Sequence, residues 1–128
     1  MSKEAVDRVR EAYHLSRRGD PRELLSLVAA DARWEGAAGT KWRACETGED
    51  VAKTLLWRAA VHRLRAVEFL DVGDHVVVGL AGTRMNRLGA PWWGFRIFQV
   101  VTVRNGKITH IRDFGRRQEA LAAVGLNA

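Results

Sequence analysis

The chemistry this sequence can offer lies in a few polar side chains set in otherwise apolar segments. Asp113 falls in Arg112-Asp113-Phe114, at the end of the last strand-like stretch. A carboxylate there can take up or give a proton. Arg84 and Asn86 stand two apart in Arg84-Met85-Asn86. On a strand that spacing puts both polar side chains on one face. If Asp113 shares an apolar interior with Arg84, burial raises its pKa and the guanidinium lowers it. Structural uses compete with this one. Asp113 can pair with Arg96, Arg112, Arg116 or Arg117, or cap the helix that follows.

Other candidates carry less. Tyr13 lies on an apolar helical face and reads either as a core aromatic or as a hydroxyl donor to a ligand. His62, His75 and His110 lack ligand spacing, and Cys45 is the single cysteine, so neither a metal nor a disulfide is expected. Cys45 follows Arg43-Ala44, and a basic neighbour can lower a thiol pKa, but no His or second Cys stands nearby. Pro91-Trp92-Trp93 opens a strand on which the two indoles point to opposite faces, one suited to line a pocket and the other an interface, with core packing the competing use for both.

Elements must hold these groups in place. With 128 residues, 47% of them apolar and 28% charged, the chain suits one globular domain, 1–128, with a core of its own. No apolar run approaches the roughly 18 residues that cross a bilayer, so no membrane association is expected. The start, Met1 to Ala5, lacks a signal core, which makes a cytoplasmic location the expectation. The net charge of +6 can mean nucleic acid, but acids interleave with the arginines throughout and no nucleic-acid motif appears. The basic residues therefore read as a solvated surface.

The first half is helical. Ala5, Val6, Val9, Ala12, Tyr13 and Ser16 recur at three and four, with His14 on the far side and Gly19 at the end. Asp20-Pro21-Arg22-Glu23 caps a second helix, with Leu24, Leu25, Leu27 and Val28 on its buried side. Asp31 to Gly36 reads as a short strand with Ala32 and Trp34 on one face. Thr47-Gly48-Glu49-Asp50 opens a third helix that buries Val51, Ala52, Leu55, Leu56 and Ala59 and turns Trp57 outward. The second half has strand period: 62–71, 75–86, 92–104 and 107–114, then a closing helix over 115–124 with Gly125 at its end. The order α-α-β-α-β-β-β-β-α is an α+β fold. Its antiparallel sheet must curve over the helices to hide an apolar face, and the space between suits a small molecule.

Asn105-Gly106 is the strongest hairpin signal in the chain. A simple two-residue turn there pairs Arg104 with Lys107 and Phe98 with Asp113. Phe98, Val100, Ile111 and Asp113 then share one face, and Gln99 faces the other way. Only a β-bulge brings Gln99 and Asp113 together. The expectation is an inward Asp113.

Tyr13, Gly19-Asp20, Ala30-Asp31-Ala32-Arg33-Trp34-Glu35, Thr47-Gly48-Glu49, Gly106-Lys107-Ile108, Ile111-Arg112-Asp113-Phe114 and Glu119-Ala120-Leu121 to Gly125-Leu126 together resemble the SnoaL-like branch of the NTF2-like superfamily. The resemblance covers nearly the whole chain. It implies the cone-shaped α+β fold, an interior cavity, and a homodimer packed sheet on sheet. It implies no single activity.

Three of the family's chemistries can be tested by residue. Limonene-type epoxide hydrolases need Arg-x-Asp where this chain has Arg84-Met85-Asn86, with Asp113 matching the second acid. Asn86 is an amide and cannot replace a carboxylate, and Trp34 and Gly36 fall where that family holds its water. Ketosteroid isomerases place a donor at Tyr13 and a base at Gly36; Glu35 stands next to that position but opposite Trp34. The polyketide cyclase pattern, with a base at Asp113 and a polar neighbour at Gln99, needs the fewest changes.

The expectation is therefore a protein that binds a small apolar molecule in an interior pocket. Asp113 and Arg84 are its candidate acid/base groups, and Tyr13, Trp34, Asn86, Trp93, Phe98, Gln99 and Ile111 its candidate ligand contacts. No cofactor is expected. The alternative is an isomerase-, cyclase- or lyase-type enzyme that uses Asp113 on an oxygenated apolar substrate.

Overall fold

A computed structural model describes residues 2–36, 45–61, 63, 65–85 and 91–126. The chain runs α1 (Ser2–Arg18), α2 (Pro21–Ser26), β1 (Val28–Glu35), α3 (Gly48–Val61), β2 (Arg65–Val72), β3 (His75–Met85), β4 (Pro91–Arg104), β5 (Lys107–Phe114) and α4 (Arg117–Ala123). The order is the expected one. Local chemistry sets the boundaries. The Glu23 amide donates to Asp20 Oδ1 (3.2 Å), with Pro21 in the first turn of α2. The Asp50 amide donates to Thr47 Oγ1 (3.1 Å) at the start of α3. After α4, the Leu126 amide reaches the Leu121 carbonyl and the Gly125 amide reaches that of Ala122. That pair of bonds needs the left-handed Gly125, at φ +82°.

The five strands form one sheet in the order β1-β5-β4-β3-β2. β1 lies parallel to β5, and every other pair is antiparallel. The meander curves, and each of its three antiparallel ladders contains a register shift. Its concave face carries Val76, Val78, Leu80, Val101, Ile108 and Ile111, which pack with Val9, Ala12 and Leu15 of α1 and Val51 and Leu55 of α3. The convex face carries Val77 and Val100 under Ala120 and Leu121 of α4. β1 begins earlier than the sequence suggests. Val28 is its first residue rather than a helical one, and Leu25 is 45% exposed. α2 ends at Ser26 because Leu27 is its C-cap.

One register correction decides the site. Asn105 and Gly106 form the expected turn, with φ of +53° and +75°, and Arg104 pairs with Lys107. The ladder then slips by one residue. Val103 pairs with Ile108, but Thr102 pairs with His110, so Thr109 is the extra residue on β5. Beyond that bulge Gln99, not Phe98, pairs with Asp113. The two polar side chains therefore share the concave face. Phe98 is displaced to the convex face, against α4, and does not line the interior as the simple turn implied.

Gly48 is fixed by a close approach: a Cβ there would run into the backbone carbonyl of Ala29. At Gly115 a Cβ meets nothing. Gly48→Ala is expected to destabilise the fold by about 1–3 kcal/mol, and Gly115→Ala to leave it nearly unchanged. Urea midpoints of the two variants measure the difference.

Candidate functional site

The concave face holds a polar cluster built from four elements. Asp113, 4% exposed on β5, is the only charged residue among the buried residues described. Trp34 of β1 is fully buried and donates Nε1–H to Asp113 Oδ1 at 3.0 Å. Gln99 of β4, 1% exposed, donates Nε2–H to the same oxygen at 2.8 Å. Arg58 of α3 donates from Nη1 to Asp113 Oδ2 at 3.1 Å, and its side chain is 14% exposed. The Arg58 guanidinium also lies over the Trp34 ring, 4.8 Å from the centroid. Cation, carboxylate and indole thus close a triangle.

Each side chain reaches the cluster for a local reason. Strand alternation turns Trp34 inward and leaves Glu35 outside, where it pairs with His110 (3.4 Å) and Arg112 (3.5 Å). Glu35 is thus no interior base. Trp34 is also locked by backbone bonds in both directions with Cys45, at 3.0 and 2.9 Å. Cys45 is buried, and its thiol lies 3.4 Å from Thr54 Oγ1. Burial pushes that thiol up in pKa, so it is not an activated nucleophile. Arg58 follows Val51 and Leu55 at helical spacing and so emerges on the buried stripe of α3.

Burial raises the pKa of Asp113, and Arg58, Gln99 and Trp34 oppose the rise. Desolvation is the larger effect. Three donors on two oxygens still suit the ionised form, which is a pure acceptor. Asp113 does not cap α4: the N-cap is Arg116, with no side-chain cap bond. Arg112 and Arg117 are engaged elsewhere, with Glu35 and Glu68.

Beside the cluster lies a small hollow of about 10 Å³, lined by Tyr13, Ser16, Leu55, Arg58, Ala59, Leu80 and Gln99. At rest it has room for about one water. Two buried polar atoms at this spot have no hydrogen-bond partner among the described residues: Tyr13 Oη and Gln99 Oε1. Burial, with Asp113 nearby, drives the Tyr13 pKa far upward, so the phenol stays protonated and remains a donor. Ser16 is not free for a ligand in the same way, since it donates to the Ala12 carbonyl at 2.8 Å. A larger open depression of about 490 Å³ lies at the turn end of the sheet, lined by Glu4, Asp74, Arg104 and Gly106 among others. It holds none of the candidate residues.

The structure brings together Tyr13, Trp34, Gln99 and Asp113, with Ile111 buried in the core on the same face. It separates Phe98 from them. Arg84 pairs with Trp92 across β3 and β4, but the side chains of Arg84 and Trp93 and the whole of Asn86 lie outside the described residues. Among the described side chains, the cation that meets Asp113 is Arg58, which sequence reasoning missed. Its signal was a charged residue seven positions after Val51 on an apolar stripe.

A curved mixed sheet closed over N-terminal helices, with a polar cluster on its concave face, defines an NTF2-like domain. A model of the SnoaL-like domain family matches residues 9–111, and the chain belongs to that family. An NTF2-like protein from Burkholderia xenovorans LB400 superposes with a TM-score of 0.70 at 25% identity, covering 97% of each chain. An epoxide hydrolase of the LEH-like type from M. tuberculosis gives 0.68 at 16% identity, over 96% of this chain and 90% of that one. TerC, crystallised with polyporic acid, gives 0.70 at 20% identity, over 94% and 98%. The last two likenesses show the fold alone. No curated protein matches the sequence significantly.

Removing Arg58 leaves a buried carboxylate without its cation. Arg58→Met is expected to cost about 3–5 kcal/mol in chemical denaturation. Adding Asp113→Asn to that variant recovers part of the loss, because no charge is then stranded. A double variant no more stable than Arg58→Met contradicts this account of the pair.

Proposed function

We propose that this chain binds a small, mostly apolar molecule carrying an oxygen, in the hollow between α1, α3 and the concave face. One observation carries the reading. Tyr13 Oη and Gln99 Oε1 are both buried, with no hydrogen-bond partner among the described residues, at one spot lined otherwise by Ser16, Arg58 and apolar side chains. Unsatisfied buried polar groups are costly, so a fold that keeps two in one place has a use for them. The Tyr13 hydroxyl is the donor to the ligand's oxygen. Leu55, Ala59 and Leu80 supply the apolar wall. A ligand larger than water requires α1 and α3 to part from each other, at the expense of some packing. The two neighbours whose names point to oxygenated molecules, an epoxide hydrolase and a protein crystallised with polyporic acid, support this class of ligand.

A second reading, in which Asp113 serves as the acid/base group of an isomerase- or cyclase-type enzyme, draws on one feature. Burial raises the Asp113 pKa above the ordinary aspartate value, the direction that favours proton uptake by a carboxyl. Against it, both carboxylate oxygens are already engaged by three donors.

A thermal-shift screen of small oxygenated apolar compounds tests the binding reading. A ligand that binds only the native state must raise Tm, by the equivalent of about 2.7 kcal/mol at a hundredfold excess over Kd. The same compound should shift Tyr13→Phe much less. An equal shift in Tyr13→Phe would remove the hydroxyl from the site. Turnover of that compound by the wild type, lost in Asp113→Asn with binding retained, would favour the enzyme reading instead.

A further inference from the structure

Gln99 has two chemically opposite ends, and the structure shows which end is tied. Nε2 donates to Asp113 Oδ1 at 2.8 Å, while Oε1 is buried with no partner among the described residues. That orientation is not a free choice. A carboxylate only accepts, so beside Asp113 the amide must present its NH2. Arg58 and Trp34 hold the carboxylate in turn, on Oδ2 and Oδ1 respectively, and so prevent it from turning away. Gln99 is 1% exposed, which leaves its amide no solvent partner to flip toward.

We infer that Asp113 is a positioning residue that sets the hydrogen-bond polarity of the hollow, making it selective for a ligand hydroxyl over a carbonyl. This inference rests on the binding reading above and adds the ligand's functional group to it. With Nε2 held by Asp113, the hollow receives an acceptor from Gln99 and a donor from Tyr13. An alcohol, phenol or enol satisfies both at once: its oxygen accepts from Tyr13 Oη–H and its proton goes to Gln99 Oε1. A ketone or aldehyde satisfies only Tyr13. It sets one lone-pair oxygen against another at Gln99 and leaves that acceptor desolvated and unpaired. A site built around such a group rejects the analogue that cannot pair with it.

Cyclohexanol and cyclohexanone form a matched pair of probes that differ in the donor alone. Calorimetric or thermal-shift titration of the wild-type chain into the millimolar range should give a preference for the alcohol of about tenfold or more. Gln99→Met keeps the bulk and removes the acceptor, and should bring the two affinities close together. Asp113→Asn frees the amide to turn and should shrink the preference as well, a change in selectivity that a merely structural role would not produce. If Asp113→Asn fails to fold, the wild-type ratio and the Gln99→Met ratio still decide. Equal affinity of the wild type for both probes overturns the inference and leaves the binding reading standing. So does a preference that survives unchanged in Gln99→Met. Binding of neither probe overturns both.

Discussion

The interior of this domain is organised around one buried carboxylate. Taking Asp113 out of water costs several kcal/mol, and the structure offsets part of that cost with a guanidinium, an indole N–H and a primary amide, each within 3.1 Å. These donors come from α3, β1 and β4, so the carboxylate ties three elements of different sequence distance to β5. The arrangement is specific rather than merely stabilising. Hydrophobic groups of similar volume would fill the space as well, but they would not fix which way Gln99 points. What the cluster provides is direction: the Gln99 amide is held by its nitrogen, and a cation is held against Trp34.

Much of the scaffold was legible in the sequence because its signals are local. Capping at Asp20 and Thr47, the Asn105-Gly106 turn and the Gly125 cap each depend on a few neighbouring residues, and each appears where its chemistry places it. That Trp34 and Glu35 take opposite faces followed from strand alternation, and the structure turns Trp34 inward. Asp113 faces inward as expected, but alternation alone did not decide it, and its cross-strand partner is Gln99 rather than the expected Phe98. A one-residue bulge at Thr109 shifts the whole β4–β5 register, and nothing in the side chains of that hairpin announces it. Bulges answer to the curvature of the sheet over the helices, which is a tertiary demand. Phe98 and Gln99 exchanged faces as a result.

Arg58 was illegible for a different reason. Apolar periodicity locates the buried stripe of α3 and treats a charge on it as an interruption at a helix end. The charge turns partly inward to meet an acid 55 residues away on β5. Such a pair is visible to sequence reasoning only when both members are placed on facing surfaces first. The small size of the hollow is likewise a packing result. Sequence pattern indicates a space under a curved sheet, whereas the bulk of Leu55, Leu80 and Tyr13 decides how much of it is left.

The central claim is that Asp113 is a desolvated carboxylate held by Arg58. The most direct measurement is a carbon-13 NMR titration of the Asp113 side-chain carboxyl in the wild type and in Arg58→Met. The account predicts a wild-type midpoint above the ordinary aspartate value, because burial outweighs the three donors, and a further rise once the guanidinium is removed. A midpoint at or below the ordinary value, or one indifferent to Arg58, would contradict it.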